Sequence, residues 1–425
     1  MVGHTLAGSA MVLFYNDGVA AHRLSPSVSS APIAGGYVGA VSGKRQICRI
    51  RPCSIIARHL NGVIPSAMSD QTQYQRAWQI LNQDLRRLEQ KQGDLSGALE
   101  ALYRHQFASG FVCDDLSQVE RYPVAHPADP DQAFVVQFNP RRAERFNGRG
   151  HSSPGPGQVA EHDGCFLCPG NIYWQQDGLQ LGYDVELNGR DYIAWINPYP
   201  LAPVHSVIAS REHLSQGWAV NGGGGKMLCL ADLIMDLVTL ARRLPGYLTF
   251  YNGIDAGTSI PGHLHYHAFR RPARLARFPI ERLTEGCGTA AELVTHGYPV
   301  HFAFWRGEKM DVESRASQWA RTWIEKNDTR KIELTANIMA AADVETGEVR
   351  LYFVPRARSN TTGQSAIRKR LIGGLEMLGE LVFSSSNDKR QLDAGQIDYF
   401  SLAQMLADVC PQRDDHPLII PSPTR

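Results

Sequence analysis

Three histidines at alternate positions are the residues of this chain best suited to chemistry. They are His263, His265 and His267, in the stretch SIPGHLHYHAF. Because successive side chains of a strand point to opposite faces, an extended backbone places the three imidazoles on one face, about 6 to 7 Å apart, with apolar side chains on the other. A Pro-Gly pair just before the run is typical of a turn. The pattern predicts a strand that leaves a tight turn and presents three imidazoles together.

Such histidines could also form a surface metal chelate, or lie in a core and pair with backbone groups. Three in phase, beside a Gly-Thr-Ser turn at 257–259, favour a functional site. A second candidate site is the CFLC stretch, in which Cys165 and Cys168 form half of a tetrahedral metal site and need two further nitrogen or sulfur ligands. Eight cysteines in 425 residues are too sparse for a disulfide scaffold.

The composition is that of an ordinary globular protein, with 43% hydrophobic and 20% charged residues. A net charge of +1 gives no electrostatic case for a nucleic-acid polymer or an acidic membrane, although the basic run FNPRRAERF could hold a small phosphate ligand. No apolar run reaches the roughly 18 residues that span a bilayer. We therefore expect a soluble protein, and the sparse cysteines favour the reducing cytoplasm.

The order of the predicted elements is strand, strand, helix, strand, strand over residues 191–269, with further strands near 300–305 and 349–358 and a helix near 398–408. This order predicts the α+β class, with helices packed on a mainly antiparallel sheet. A helix should begin after a capping pair at Ser69 and Asp70. Residues 1–67 are rich in basic residues and contain one acid, which suits a transit peptide or an over-extended translation start before Met68; the second is favoured.

The chain resembles the histidine-triad (HIT) superfamily in NPYPLAPVHSVIASREHL followed by YNGIDAGTSIPGHLHYHAF. With FVVQFNPRRAERF and CFLC upstream, it is similar to the transferase branch, which contains galactose-1-phosphate uridylyltransferase, diadenosine tetraphosphate phosphorylase and GDP-sugar phosphorylases. The resemblance implies a tandem fold, with a catalytic HIT-like domain and its N-terminal helix at 68–290 and a degenerate HIT-like half at 291–425. Residues 1–67 are expected from their composition to be a disordered or non-native extension.

The resemblance also implies that His265 attacks the α-phosphorus of a nucleotide, which gives a covalent nucleotidyl-histidine. A backbone hydrogen bond to the other ring nitrogen would fix the reactive tautomer. Charge on the phosphate would be met by Ser259, His267, the amides from Gly257 onward and Asn252. Asn252 is equally suited to be a turn residue before Gly253.

In uridylyltransferases with the CxxC feature, the two cysteines are joined by a histidine after the Pro-x-His strand and by the first histidine of the triad. The resemblance therefore implies a structural Zn²⁺ held by Cys165, Cys168, His213 and His263, with His205 as the rival of His213. His205 is also a candidate contact near the phosphate.

Three further polar residues of the basic run are candidate substrate ligands: Asn139, Arg141 and Arg142, because guanidinium groups bind phosphate well. Solvated surface arginines are the alternative. The resemblance places Asn197 at the nucleoside pocket, where a strand-ending turn would explain it equally well.

One departure from the branch bears on the reaction, since transferases and phosphorylases usually carry Gln where this chain has His267, and hydrolases carry His. The sequence thus favours a nucleotidyltransferase or phosphorylase that acts on a nucleotide sugar or dinucleotide, with phosphate or a sugar phosphate as acceptor. A HIT-type nucleotide hydrolase is the alternative, and a nucleotide-binding protein without turnover is the second. A homodimer is a candidate assembly.

Overall fold

The computed structural model describes residues 70–147, 150–219, 226–272, 277–286, 292–294, 298–328, 334–357 and 371–411. The helices are α1 Gln71–Gln92, α2 Ser96–Ala108, α3 Pro169–Gln175, α4 Leu230–Arg243, α5 Pro279–Leu283, α6 Lys309–Asp328, α7 Gly374–Met377, α8 Ser386–Asp393 and α9 Tyr399–Asp408. The extension predicted at 1–67 lies outside the described residues.

The strands follow the chain as β1 Glu120–His126, β2 Asp129–Phe138, β3 Tyr183–Leu187, β4 Arg190–Ile196, β5 Ser206–Ser210, β6 Trp218–Ala219, β7 Leu228–Cys229, β8 Tyr247–Asn252, β9 His265–Arg270, β10 Glu292–Val294, β11 Phe302–Gly307, β12 Leu334–Ala342, β13 Val349–Ala357 and β14 Glu380–Phe383. Nine of them form one sheet in the order β10-β11-β13-β12-β8-β9-β5-β4-β3. Every neighbouring pair in it is antiparallel. The predicted mixed α and β class with an antiparallel sheet is confirmed.

The two faces of this sheet are covered differently. Helices α4 and α6 pack on each other and on one face, where Leu264, just before β9, and the alternate β9 residues Tyr266 and Ala268 join the largest hydrophobic core. On the other face, a second core includes Phe250 and Phe269 and residues of the small sheet β1-β2-β14. His265 and His267 lie on this second face, where His267 stacks on Phe250. None of the described helices is long and apolar enough to cross a membrane.

The start of the first helix matches its local signal. Helix α1 begins after Asp70, whose carboxylate accepts a 2.9 Å hydrogen bond from the backbone N–H of Thr72, as the capping pair predicts. Helix α6 was not among the predicted elements, although its buried Val312, Ala316 and Ala320 recur at helical spacing.

Gly257 is where the turn after β8 meets the C-terminal part of the chain. Its φ of 94° lies in the left-handed region, and a Cβ there would stand 2.5 Å from the Cα of Gly373 and 2.6 Å from the carbonyl oxygen of Ile372. Backbone therefore packs directly on backbone at this point, which only glycine permits.

We expect Gly257→Ala to destabilise the fold more than Gly110→Ala. Gly110 shares the positive φ, at 75°, but a Cβ there would have nothing within 4 Å. Both variants carry left-handed strain of about 1 kcal/mol or more, and only Gly257→Ala adds a steric cost of about 1 to 3 kcal/mol. Urea unfolding of the two variants measures the difference; equal losses would contradict the close packing.

Candidate functional site

Strand β9 places two of the three histidines side by side. The ring centroids of His265 and His267 lie 5.1 Å apart, on the face opposite the buried Tyr266. The predicted alternation is confirmed for these residues. His263 lies in the turn before the strand, and its ring points to a different set of partners.

The tautomer of His265 follows from one hydrogen bond. Its Nδ1 lies 2.7 Å from the carbonyl oxygen of His263, and because a carbonyl only accepts, Nδ1 must carry the proton. The Nε2 atom then holds the free lone pair. Burial lowers the pKa of His265 to about 4, so the ring is neutral at pH 7. The geometry thus supplies a neutral imidazole whose unprotonated nitrogen is Nε2.

His205 and His267 form a second chain of hydrogen bonds. The backbone N–H of Leu201 donates to Nδ1 of His205 at 3.2 Å, so the proton of His205 is on Nε2. That atom lies 3.2 Å from Nδ1 of His267 and donates to it, which leaves the proton of His267 on its own Nε2. Burial lowers the pKa of both rings well below the usual value. His267 also stacks on Phe250, with centroids 4.7 Å apart.

Two arginines of the predicted basic run lie near these histidines, and their positive charges help to lower the pKa of His205 and His267. Arg142 is buried and donates to the Tyr199 carbonyl at 2.5 Å, and no carboxylate in the described part of the chain forms an ion pair with it. Arg145 was not predicted, although it follows Arg142 by three residues on one short helical segment, a spacing that brings side chains together.

Arg141 points elsewhere. Its side chain is 41% exposed and its guanidinium lies 3.8 Å from the carboxylate of Glu144. Of the two predicted arginines, Arg142 is the one whose charge contributes to the lowered pKa of His205 and His267.

The four predicted metal ligands come together. The sulfur of Cys168 lies 3.2 Å from Nδ1 of His213, and Nδ1 of His263 lies 3.4 Å from the sulfur of Cys165 and 3.5 Å from that of Cys168. All four ligand atoms lie within 4.8 Å of one another. The three contacts of 3.2 to 3.5 Å are close to the edges of a tetrahedron around an ion about 2.0 to 2.3 Å from each ligand. The cluster could hold one metal ion.

The surroundings of the cluster orient its ligands. Nε2 of His263 lies 2.8 Å from the carbonyl oxygen of Ser210 and donates to it, so Nδ1 faces the sulfurs with its lone pair free. The neighbouring Cys168 thiol, which can donate to the Cys165 sulfur, lowers the pKa of the Cys165 thiol. His162, which was not predicted, stacks on His213 with centroids 4.0 Å apart. The rival ligand His205 lies beside His267 instead.

Three of the remaining candidates are asparagines with structural partners. The amide of Asn139 is buried and donates to the Pro200 carbonyl at 3.0 Å, and the side-chain oxygen of Asn197 accepts from the N–H of Tyr199 at 2.8 Å. The side-chain oxygen of Asn252 accepts from Asn337 and from the N–H of Gly374, both at 2.8 Å. Ser259 lies at the exposed part of the 257–259 turn.

Comparisons with known proteins agree with this architecture. A family model described as a domain of unknown function (DUF4922) matches residues 113–270, which contain every candidate site residue. No curated protein matches the chain. The chain is similar to the crystal structure of yeast Ap4A phosphorylase Apa2 in complex with AMP, with a TM-score of 0.50 and 16% sequence identity over 73% of this chain and 96% of that chain. The two proteins share a fold.

Two further structures of the yeast enzyme also match. The structure of Apa2 alone has a TM-score of 0.49 and 16% identity, over 73% of this chain and 94% of that chain. The complex with Ap4A has a TM-score of 0.48 and 15% identity, over 73% of this chain and 97% of that chain.

Removal of a thiol tests whether the cluster of Cys165, Cys168, His213 and His263 binds a metal ion. We expect purified protein to contain about one metal ion per chain, and Cys165→Ser or Cys168→Ser to lose both the ion and thermal stability, because a metal that binds only the folded chain stabilises it. Elemental analysis and thermal unfolding measure the two effects. Cys113→Ser, at an exposed free cysteine, is the control and should keep both. Fully folded protein without any metal would contradict the assignment.

Proposed function

We propose that the chain is a nucleotidyltransferase or phosphorylase of the histidine-triad type that works through a covalent nucleotidyl-His265. The observation that carries this proposal is the 2.7 Å hydrogen bond from Nδ1 of His265 to the His263 carbonyl, which leaves the lone pair on Nε2. A neutral imidazole with a fixed tautomer is a good nucleophile at pH 7, and a covalent intermediate divides one displacement into two easier ones. The fold shared with yeast Ap4A phosphorylase, solved with AMP, supports a nucleotide as substrate.

In the first step, Nε2 of His265 attacks the α-phosphorus of a nucleotide sugar or dinucleotide. The Nε2–P bond forms and the bond from phosphorus to the bridging oxygen breaks, so that a sugar phosphate or nucleotide leaves. The ring becomes positively charged, and its Nδ1–H stays on the His263 carbonyl. In the second step, an oxygen of phosphate or of a sugar phosphate attacks the phosphorus, and the Nε2–P bond breaks.

The surrounding residues suit an anionic substrate. Arg142 and Arg145 bring positive charge to the histidines, and Arg142 is buried with a backbone carbonyl as its hydrogen-bond partner. A phosphate bound there would gain charge-assisted hydrogen bonds in a setting from which water is largely excluded. His267 would donate from Nε2 to the α-phosphate or the leaving oxygen. Ser259 and the Gly257 turn are further proposed donors.

We propose Zn²⁺ for the metal cluster, because two thiolates and two imidazoles suit that ion. Cys165, Cys168, His213 and His263 would hold it. Its part is structural: it would tie the CxxC loop to the start of β9 and so support the orientation of His265.

The strand order also supports a tandem fold with a degenerate second half. β8 and β12 are neighbours in the sheet. Counted outward from them, β8, β9, β5 and β4 on one side are matched by β12, β13, β11 and β10 on the other. The helices α4 and α6 take equivalent places in the chain. On β13, Tyr352 and Val354 face the core that includes Phe250, on the side where β9 carries His265 and His267. This half therefore carries no second pair of histidines on its equivalent strand.

A nucleotide hydrolase is the second candidate function, and the observation that favours it is the donor state of His267. With its Nδ1 accepting from His205, His267 has an Nε2–H that can donate a hydrogen bond to a leaving oxygen, and a protonated His267 could pass a proton to it and become neutral. Water in place of the second phosphate would then give a nucleoside monophosphate.

Replacement of His265 tests the covalent step. We expect His265→Ala to lower turnover by about 10³-fold or more while nucleotide binding persists, because the binding groups lie elsewhere. Intact-protein mass after exposure to a panel of nucleotide sugars and dinucleotides should show a bound nucleoside monophosphate in the wild type and none in the variant. His151→Ala, at an exposed histidine, serves as the control. Full activity in His265→Ala would exclude the mechanism.

His267→Gln separates transfer from hydrolysis. A Gln amide can hold the phosphate but cannot deliver a proton, so we expect this variant to raise the ratio of transfer to water attack. The measurement is the ratio of nucleoside diphosphate or new nucleotide sugar to nucleoside monophosphate at fixed acceptor concentration. An unchanged ratio would show that His267 does not govern acceptor choice. Wild-type protein that yields only monophosphate under saturating acceptor would establish the hydrolase instead.

A further inference from the structure

Gln216 fills a gap in the main sheet next to His265. The pairing of β8 with β9 runs from Tyr247↔Arg270 to Phe250↔His267 and stops there. The same register, continued by two residues, would pair Asn252 with His265. The side chain of Gln216 lies between these two residues instead, and it is fully buried.

The carboxamide of Gln216 takes the hydrogen bonds that the missing strand pair would have made. Its Oε1 accepts from the N–H of His265 at 2.8 Å. Its Nε2 donates to the carbonyl of His265 at 3.1 Å and to that of Asn252 at 2.7 Å. The opposite orientation of the amide would set its oxygen against two carbonyl oxygens, so the three contacts fix which end is which.

The backbone that carries Gln216 is itself anchored to the same region. The N–H of Gln216 donates to the Pro261 carbonyl at 3.2 Å, and its own carbonyl accepts from the Tyr251 hydroxyl. Two residues earlier, the carbonyl of Leu214 accepts from the N–H of Leu264 at 2.6 Å. The backbone that carries the carboxamide is therefore bound both to β8, through Tyr251, and to the residues just before β9, through Pro261 and Leu264.

We infer that Gln216 is a positioning residue that sets the tautomer and direction of the His265 ring. The ring donates to a carbonyl only two residues back in its own chain, so this bond depends on the backbone between His263 and His265. Gln216 binds both main-chain groups of His265 and fixes that backbone. Without it, the ring can rotate and adopt the other tautomer, in which Nε2 carries the proton and has no free lone pair.

NMR of full-length protein with nitrogen-15-labelled histidines measures the tautomer directly. The His265 signals are assigned by comparison with His265→Gln. We expect the wild type to hold its proton on Nδ1 alone, and Gln216→Met, which keeps the volume but no hydrogen bond, to show both tautomers. If Gln216→Met does not fold, the tautomer of His265 is measured in Gln216→Asn instead, which keeps the amide on a shorter side chain.

Gln106→Met is the matched control. Gln106 is also fully buried, and its amide bridges main-chain groups of Leu179 and Leu181 at 3.3 Å, in a helix remote in sequence from β9. Loss of this bridge should lower stability and leave the His265 signals unchanged. An altered His265 tautomer in the control would overturn the specific role of Gln216.

The kinetic consequence rests on the proposed function. In a single turnover with the nucleotide that labels the wild type, Gln216→Met should form the adduct about 10²-fold more slowly, with nucleotide Kd unchanged, because a small misalignment of a nucleophile costs about that factor. If the wild type forms no adduct, the proposed function fails, and the NMR comparison still decides the role of Gln216. An unchanged tautomer in a folded Gln216 variant would overturn the inference.

Metal content separates this role from an indirect effect through His213, three residues away. We expect Gln216→Met to retain as much metal as the wild type. If it loses the metal, and Cys168→Ser shows the same mixture of tautomers, the metal cluster and not the carboxamide orients His265, and the inference is wrong.

Discussion

The free lone pair on Nε2 of His265 depends on a single hydrogen bond, from Nδ1–H to the carbonyl of His263. A histidine in water exchanges between two tautomers and, near its usual pKa, a protonated form; only one of these states has a bare Nε2. The protein removes the others by two means. Burial disfavours the charged ring, and a carbonyl that can only accept holds the proton on Nδ1. The hydrogen bond requires a rigid start of β9, and pairing with β5 and β8 helps to hold that strand in place.

The alternation of the three histidines gives each ring a different task, because each has a different orienting partner. His263 donates to the Ser210 carbonyl and turns its lone pair to the thiols, whereas His267 accepts from His205 and keeps its proton on Nε2. The carbonyl of His263 is also the acceptor for His265. The same residue therefore contributes a ring to the metal cluster and a main-chain oxygen to the neighbouring histidine, so that any movement of the turn would affect both sites.

The parts of the structure that local patterns determine were predictable. Alternation of apolar and polar residues gave the strand and its two faces, and the capping residue gave the start of α1. The predicted ligands Cys165, Cys168, His213 and His263 also meet. The rest depends on contacts between distant segments. The side-chain oxygen of Asn252 accepts hydrogen bonds from Asn337 and Gly374. Gln216 binds His265 across a gap in the sheet. Residue type alone predicts neither contact. Arg145 carried a signal in its spacing from Arg142.

The charges around the histidines explain why an anion suits this face of the sheet. Arg142 and Arg145 lower the pKa of His205 and His267 further than burial alone, so the region holds positive charge next to neutral rings. Under the proposed function, a bound phosphate would oppose that effect and raise the pKa of His267, since an anion favours the protonated ring. A larger fraction of His267 would then carry the additional proton that the ring can give to the leaving oxygen. Under the proposed function, the balance between transfer and hydrolysis would then depend on whether His267 gives a proton to the leaving oxygen.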